Sequence, residues 1–254
     1  MKAVVLAAGK GTRLYPVTKA IAKPLLPIAN RMTLDYAFAH LRDLGVTEAA
    51  VVVGPDNADE MRRALGDGSA FGLSLTHVLQ PEAKGLAHAV GYAREFVNRD
   101  PFVLYLGDAY YDGSFRHHLA RFTESGAANL NLVMRVPDPS RFGVAEVEGD
   151  RIVRLVEKPE VPVSDLAMAG LYFFGPQIWD VLPDLAPSAR GEYEITDAIQ
   201  MLVDRGHLVL AGVHDGAWFD TGTLSSYLQT TKHVLGGQSI NHGRVVGAIG
   251  PDVV

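Results

Sequence analysis

The chain has 254 residues, 48% of them apolar, with 23 Lys and Arg against 29 Asp and Glu and a formal net charge of −6. That length supports a sizeable core in one α/β domain with small additions, while an acidic balance with scattered cations argues against a nucleic-acid partner. Zero cysteines exclude disulfides, thiol nucleophiles and cysteine zinc sites, and no apolar stretch reaches the ~18 residues of a membrane span, so the sequence predicts a cytoplasmic protein with no membrane partner.

The apolar run Ala3–Ala7 predicts a buried first strand, and it leads into Leu6-Ala7-Ala8-Gly9-Lys10-Gly11-Thr12-Arg13-Leu14. This puts a glycine-rich turn carrying a cation at the carboxyl end of a strand, where open α/β sheets bind ligands. Gly9 and Gly11 let backbone N–H groups converge, Thr12 adds a hydroxyl and Arg13 forks onto phosphate oxygens; an ordinary tight turn is the competing reading. A Walker loop is disfavoured because Gly11 is followed by Thr12 and Arg13, and a dinucleotide fingerprint because Leu14 stands where a third small residue is needed. In Lys23-Pro24-Leu25-Leu26-Pro27-Ile28 the two prolines predict an extended path that returns Lys23 to the phosphates.

Leu34, Phe38, Leu41 and Leu44 recur at helical spacing and stop at Gly45, and Ala50–Val53 predicts a second buried strand. A short charged helix around Met61, Ala64 and Leu65 follows, then an alternating strand from Leu73 to Val78 that reaches Gln80-Pro81. Leu86, Ala89, Val90, Ala93 and Val97 fit one helix face, and Phe102–Leu106 predicts a buried strand ending at Gly107-Asp108. The alternation predicts a Rossmann-like α/β fold with a mixed, mostly parallel sheet flanked by helices. Segments 130–136, 143–148, 151–156, 169–174 and 208–213 are strand-like, with one strong helix over Ile195, Ile199, Leu202 and Val203. They predict a mixed sheet closing over the first half, in one domain (1–235) with lobes of about 1–125 and 126–235. In the tail, 236–254, Ile240, Val245, Ile249 and Val253 are spaced like the first rungs of a β-helix or belong to an irregular tail.

Two aspartates end apolar runs: Asp108 in Leu-Gly-Asp and Asp220 in Ala217-Trp218-Phe219-Asp220-Thr221-Gly222. Such a pair suits Mg²⁺, which takes one or two carboxylates and completes its octahedron with phosphate oxygens and water; a turn role, as for Asp112 and Asp215, is the plainer reading. Glu157-Lys158-Pro159 and Ala189-Arg190-Gly191-Glu192 complete a set of cations, Arg13, Lys23, Lys158 and Arg190, large enough to hold two phosphorylated reactants. That matters because at ~4 Å and an effective dielectric of ~20 each pair of like unit charges costs about 4 kcal/mol. His88, His117 and His118 lack metal-ligand spacing and predict surface positions or helix packing, with no transition metal. Tyr105, Tyr110 and Tyr111 read as core and pocket wall.

Over nearly all its length the chain resembles the sugar-1-phosphate nucleotidylyltransferases, most of all the thymidylyl-transferring ones. The resemblance rests on L-A-A-G-K-G-T-R-L at 6–14, K-P-L-L-P-I at 23–28, G-L-A-H-A at 85–89, L-G-D at 106–108, E-K-P at 157–159, A-R-G-E-Y-E-I-T-D at 189–197 and W-F-D-T-G-T at 218–223. It implies a nucleotide lobe followed by a sugar-phosphate lobe. It further implies that Ala8, Gly9, Gly11, Thr12 and Arg13 hold a triphosphate, that Gln80 and Gly85 read a pyrimidine, and that Lys23 neutralises the departing pyrophosphate. Asp108, itself beside the nucleotide, and Asp220 would bind Mg²⁺. Lys158 and Arg190 would grip the sugar phosphate, and Gly143, Glu157 and the stretch Met168, Gly170 and Tyr172 would meet the sugar. The implied substrates are a nucleoside triphosphate, dTTP first, and a sugar 1-phosphate, glucose 1-phosphate first, in a protein compatible with a homo-oligomer. UTP, ATP or GTP, a cyclitol phosphate, and a non-catalytic sugar-nucleotide-binding subunit stay open. Long members of the family match through Lys232 and continue into a β-helix domain, which is expected to be missing or truncated here.

Overall fold

In the computed structural model, which describes residues 1–236, β1 (Lys2–Leu6) lies inside a nine-stranded sheet. Its side chains alternate, as the two-residue period of a strand requires: Ala3 and Val5 enter one core, Val4 and Leu6 the other. A sheet covered by helices on both faces needs strands apolar on both, which is what the first apolar run supplies.

From β1 the chain passes through turns and the two-residue strands β2 (Pro27–Ile28) and β3 (Arg31–Met32) into α1 (Thr33–Asp43). Then come β4 (Glu48–Val53), α2 (Ala58–Leu65), β5 (Ser74–Leu79), α3 (Leu86–Tyr92), α4 (Arg94–Val97) and β6 (Phe102–Leu106). The second half runs β7 (Ala109–Tyr111), α5 (Arg116–Ser125), β8 (Asn129–Arg135), β9 (Gly143–Glu148), β10 (Arg151–Glu157), β11 (Leu166–Phe174) and α6 (Ile178–Val181). It ends with α7 (Ile195–Asp204), β12 (Val209–Val213), β13 (Trp218–Asp220) and α8 (Leu224–Val234).

The sheet order is β5-β4-β1-β6-β11-β8-β12-β10-β9. The expected parallel arrangement holds across β5, β4, β1 and β6 and recurs at β8–β12, whereas β6–β11, β11–β8, β12–β10 and β10–β9 are antiparallel, so the sheet is mixed. The second-half strands do not close over the first half as a separate sheet. They extend it, because β11, buried at all nine positions, pairs directly with β6 through Leu171↔Tyr105 to Phe174↔Phe102. The two halves of the chain therefore share one sheet and one pair of cores.

Local departures have local causes. The single helix expected over 86–97 breaks at Ala93 (φ −84°, ψ −1°), just after Gly91, a poor helix former, and gives α3 and α4. The loop to Lys23 is not simply extended: Val17–Lys19 and Lys23–Leu25 are 3₁₀ turns, with Pro24 in the first turn, where its missing N–H costs nothing. Helix α8 starts on a reciprocal cap between Thr223 and Ser226. No helix of the described residues is long and apolar enough to cross a membrane. The β-helix rungs expected around Ile240, Val245, Ile249 and Val253 lie outside the described residues.

Candidate active site

Parallel strands put their carboxyl ends on one side, so the turn after β1, Gln80 after β5 and Asp108 after β6 open on one crevice. Two cavities meet there, sharing Leu86, Leu106 and Asp108. The first, about 270 Å³, is lined by Ala8, Gly9, Lys23, Gln80, Gly85 and Asp108. The second, about 530 Å³, is lined by Arg13 and Asp220 and by Gly143, Glu157, Lys158, Met168, Gly170 and Tyr172. Three expected residues line neither. Gly11 shapes the turn (φ +62°), where a Cβ would come within 3.1 Å of Lys23 Cβ; Thr12 opens the 3₁₀ turn Thr12–Leu14; and Arg190 is engaged by acids.

At the junction the Lys23 ammonium, almost fully buried, bonds Asp108. Asp108 and Asp220, far apart in sequence, are sewn together by the β7–β13 ladder (Ala109↔Asp220). Thr221 adds to this by donating from its N–H (3.2 Å) and its hydroxyl (2.7 Å) to the Asp108 carbonyl. Burial, and then the charge of Asp108, raise the Asp220 carboxyl above the usual carboxylate range, against the opposing pull of Lys23 and Arg13. Gly222 makes this packing possible: a Cβ there would lie 2.5 Å from Arg13 Nη2 and 2.8 Å from Asp220 Oδ1.

The second cavity is framed by β9, β10 and β11. Glu157 ends β10 opposite Gly143, and a Cβ on Gly143 would strike Met168 Sδ and Thr196 Oγ1 at 2.7 Å, so only glycine leaves the floor open. Glu157 accepts from Thr196 Oγ1 at 2.6 Å and from Arg190 Nη2 at 3.2 Å, with Lys158 Nζ at 3.6 Å. Lys158 itself sits at φ +44°, an uncommon conformation for a side chain with a Cβ and one that concentrates at functional sites; its N–H is tied to the Phe142 carbonyl at 2.9 Å. In β11 a register shift between Met168 and Tyr172 surrounds Gly170 (φ +92°), where a Cβ would sit 2.8 Å from Leu106 Cδ1. The Tyr172 hydroxyl is pushed upward by burial and by Glu157, so it stays a neutral donor.

Arg190 is held chiefly by Glu194, whose buried Oε1 accepts from Arg190 Nη2 (2.7 Å), Arg190 Nε (3.2 Å) and Ser188 Oγ (2.8 Å). Sequence reading did not single out Glu194, Thr196, Thr221 or Gly222 as site residues. The strings A-R-G-E-Y-E-I-T-D and W-F-D-T-G-T contain them, and that was their only signal. On the first cavity, Gln80 donates to the Gly85 carbonyl (3.3 Å), and a Cβ on Gly85 (φ +103°) would run into the Tyr193 carbonyl at 2.5 Å.

A glycine turn, a cation-bearing cleft and two facing carboxylates thus stand together at the carboxyl ends of the parallel strands of a Rossmann-like sheet. Residues 2–236 match the nucleotidyl transferase family, and the chain belongs to it. It is 43% identical over 236 residues to a glucose-1-phosphate thymidylyltransferase of Streptomyces griseus and 44% identical over 238 residues to one of Streptomyces antibioticus. Each match takes in 92% of this chain and 66% of the relative, so the chain spans just under two thirds of their length. A glucose-1-phosphate thymidylyltransferase of Neisseria meningitidis is 37% identical over 92% of this chain and 84% of its own. Among solved structures, a Bacillus anthracis protein assigned as a glucose-1-phosphate thymidylyltransferase, crystallised with sucrose, superposes with TM-score 0.86 at 35% identity, over 96% of this chain and 98% of that one. UDP-glucose pyrophosphorylase with UDP-glucose follows at TM-score 0.83 and 25% identity, over 93% and 99%.

Proposed function

We propose that the chain transfers a thymidylyl group from dTTP to glucose 1-phosphate, releasing pyrophosphate and yielding dTDP-glucose. The observation that carries this reading is the junction of the two cavities at Asp108, which brings the cavity behind the glycine turn and the polar cavity beside Glu157 and Lys158 to one set of cations and carboxylates. The names of the Streptomyces and Neisseria relatives support thymidine as the base and glucose as the sugar.

In this reading the backbone of Ala8, Gly9 and Gly11, with Thr12 and Arg13, cradles the triphosphate, and Gln80 and Gly85 read the base. Gly143, Glu157, Met168, Gly170 and Tyr172 form the sugar wall, and Lys158 with Arg190 holds the sugar phosphate. An ionised oxygen of that phosphate attacks the α-phosphorus of dTTP while the bond to the β-phosphate breaks on the opposite side. Lys23, released from Asp108, takes up the charge of the leaving pyrophosphate. The attacking oxygen is already anionic at neutral pH, so the chain's work is positioning and charge compensation, with no protein nucleophile.

Asp108 and Asp220 fit Mg²⁺: two facing carboxylates, one of them raised by burial and by its neighbour, form a donor set that a cation relieves. Among the described residues no cluster of three or more His, Asp or Glu gathers as a self-sufficient metal cage, so substrate oxygens and water would complete the shell. A bound Mg²⁺ would add compensation for the charge that builds on the α-phosphate.

The test is pyrophosphate release by the purified chain with Mg²⁺, using dTTP, UTP, ATP and GTP against several sugar 1-phosphates. dTTP with glucose 1-phosphate should give the highest rate. No release from any pair would refute the proposal.

A further inference from the structure

Gln80 closes β5 with its backbone N–H on the Val53 carbonyl (2.8 Å), and it is 4% exposed. Its amide nitrogen lies 3.3 Å from the Gly85 carbonyl and 3.0 Å from His88 Nδ1. A backbone carbonyl only accepts, so the Gly85 contact identifies which end of the amide is nitrogen. The second amide proton then points at His88 Nδ1, which must offer a lone pair, leaving the imidazole proton on Nε2. What remains is Gln80 Oε1, which takes no hydrogen bond from another described residue and belongs to a side chain lining the first cavity.

We propose that neutral His88 reinforces the base preference of this site: together with the Gly85 carbonyl it accepts from Gln80 Nε2, and so holds Gln80 Oε1 toward the incoming base as an acceptor. This rests on the reading of the first cavity as the nucleotide pocket. Thymine and uracil present an N3–H donor to such an acceptor, whereas cytosine presents an N3 lone pair that it repels. A site built to hydrogen-bond one partner rejects the analogue that leaves its buried group unpaired. Protonation of His88 takes away that acceptor and sets an Nδ1–H against the amide NH₂, so only the Gly85 carbonyl still holds the amide and the preference weakens. His88 is a positioning residue, acting on the base only through Gln80.

The surroundings keep the ring neutral and in place. Tyr193 stacks on it (5.9 Å between centroids, 18° between planes) and Tyr92 meets it edge-on (5.1 Å, 80°). The charged groups facing it are Lys84 and Glu82, themselves paired at 2.6 Å, together with the Glu82 carbonyl. Burial, then Lys84, lowers the ring's affinity for a second proton, and Glu82 opposes them. The uncharged form therefore prevails at neutral pH and gives way in acid.

His88→Phe keeps an aromatic ring against Tyr92 and Tyr193 and removes the lone pair. The readout is the ratio of kcat/KM for dTTP over dCTP, with glucose 1-phosphate, from about pH 5 to about pH 8; titration of the shared phosphates cancels in this ratio. In the wild type the ratio should fall as the pH drops through the range in which His88 takes up its second proton. In the Phe variant it should be several-fold lower near pH 8 and should change with pH less than in the wild type, the remaining change being that of cytosine N3 itself. ¹⁵N NMR of the wild type near pH 7.5 should show His88 Nδ1 bare and Nε2 protonated. A Phe variant whose ratio stays within about twofold of wild type, or a proton on Nδ1, overturns the proposal. If the wild type turns over neither nucleotide, the thymidylyl reading fails by itself. The comparison is then read as the ratio of calorimetric Kd values: collapse of that ratio in the Phe variant sustains the role of His88, and an unchanged ratio or binding of neither triphosphate overturns it.

Discussion

Replacing Lys23 with Met removes the ammonium that touches Asp108 and leaves Asp108 and Asp220 facing each other with less compensation. Lys23 is 8% exposed and Asp108 37%, so the pair sits between the screened and the buried regime. A unit-charge pair at ~4 Å in an effective dielectric of ~20 is worth about 4 kcal/mol. Relief of the buried ammonium's desolvation and water around Asp108 offset part of it, and the expected net destabilisation is about 1–3 kcal/mol. The pH dependence has a definite sign. The folded-state pKa of Asp220 is already raised above its unfolded value, so its ionisation costs stability as pH rises through that interval, and costs nothing once pH is below the unfolded value. Loss of Lys23 raises the folded value further. The deficit should be largest near neutral pH and shrink as pH falls into the ordinary aspartate range. Urea unfolding of both proteins near pH 7.5 and near pH 4 measures it, and millimolar Mg²⁺ should raise the midpoint of the variant more than that of the wild type. Equal stability at neutral pH, or a deficit that grows on acidification, would refute the reasoning.

Gly222→Ala puts a Cβ 2.5 Å from Arg13 Nη2 and should cost about 10²-fold in kcat/KM while leaving the far-UV circular dichroism unchanged; undiminished turnover would show that Arg13 does not need its present position. Glu194→Gln keeps the shape but removes the charge that holds Arg190, and should raise KM for glucose 1-phosphate about tenfold with kcat within about threefold, checked by steady-state kinetics. Phe174→Ala empties a fully buried site stacked on Phe102 (5.4 Å) and Tyr172 (5.9 Å), and should cost about 3–5 kcal/mol in chemical denaturation.

Strands β1, β4 and β6 are legible in the sequence because a strand buried on both faces must be written as a continuous apolar run, and Asp108 is legible because it terminates one. Helix α8 is not among the expected elements although Leu224, Tyr227 and Leu228 recur at helical spacing; Leu224 and Leu228 are 58% and 56% exposed, so this stripe does not face the core. The continuity of the sheet is hidden as well, since the pairing of β6 with β11 joins segments whose local patterns say nothing of each other. The charged residues of the site could be enumerated from their motifs, but not their partners. Arg190 reads as a phosphate ligand, and only its three-dimensional setting shows Glu194 and Glu157 already upon it. His88 reads as packing, which it does against Tyr92 and Tyr193, while its second contact, to Gln80, carries no sequence signature.

The central claim is that side chains gathered at Asp108 let one phosphate displace pyrophosphate directly from another. The stereochemical course tests it most directly: dTTP of one α-phosphorothioate configuration is turned over with glucose 1-phosphate, and the thio-substituted product is assigned by ³¹P NMR. A single in-line displacement inverts the configuration at phosphorus, which is the result expected. Retention would require a covalent protein intermediate and would contradict the account.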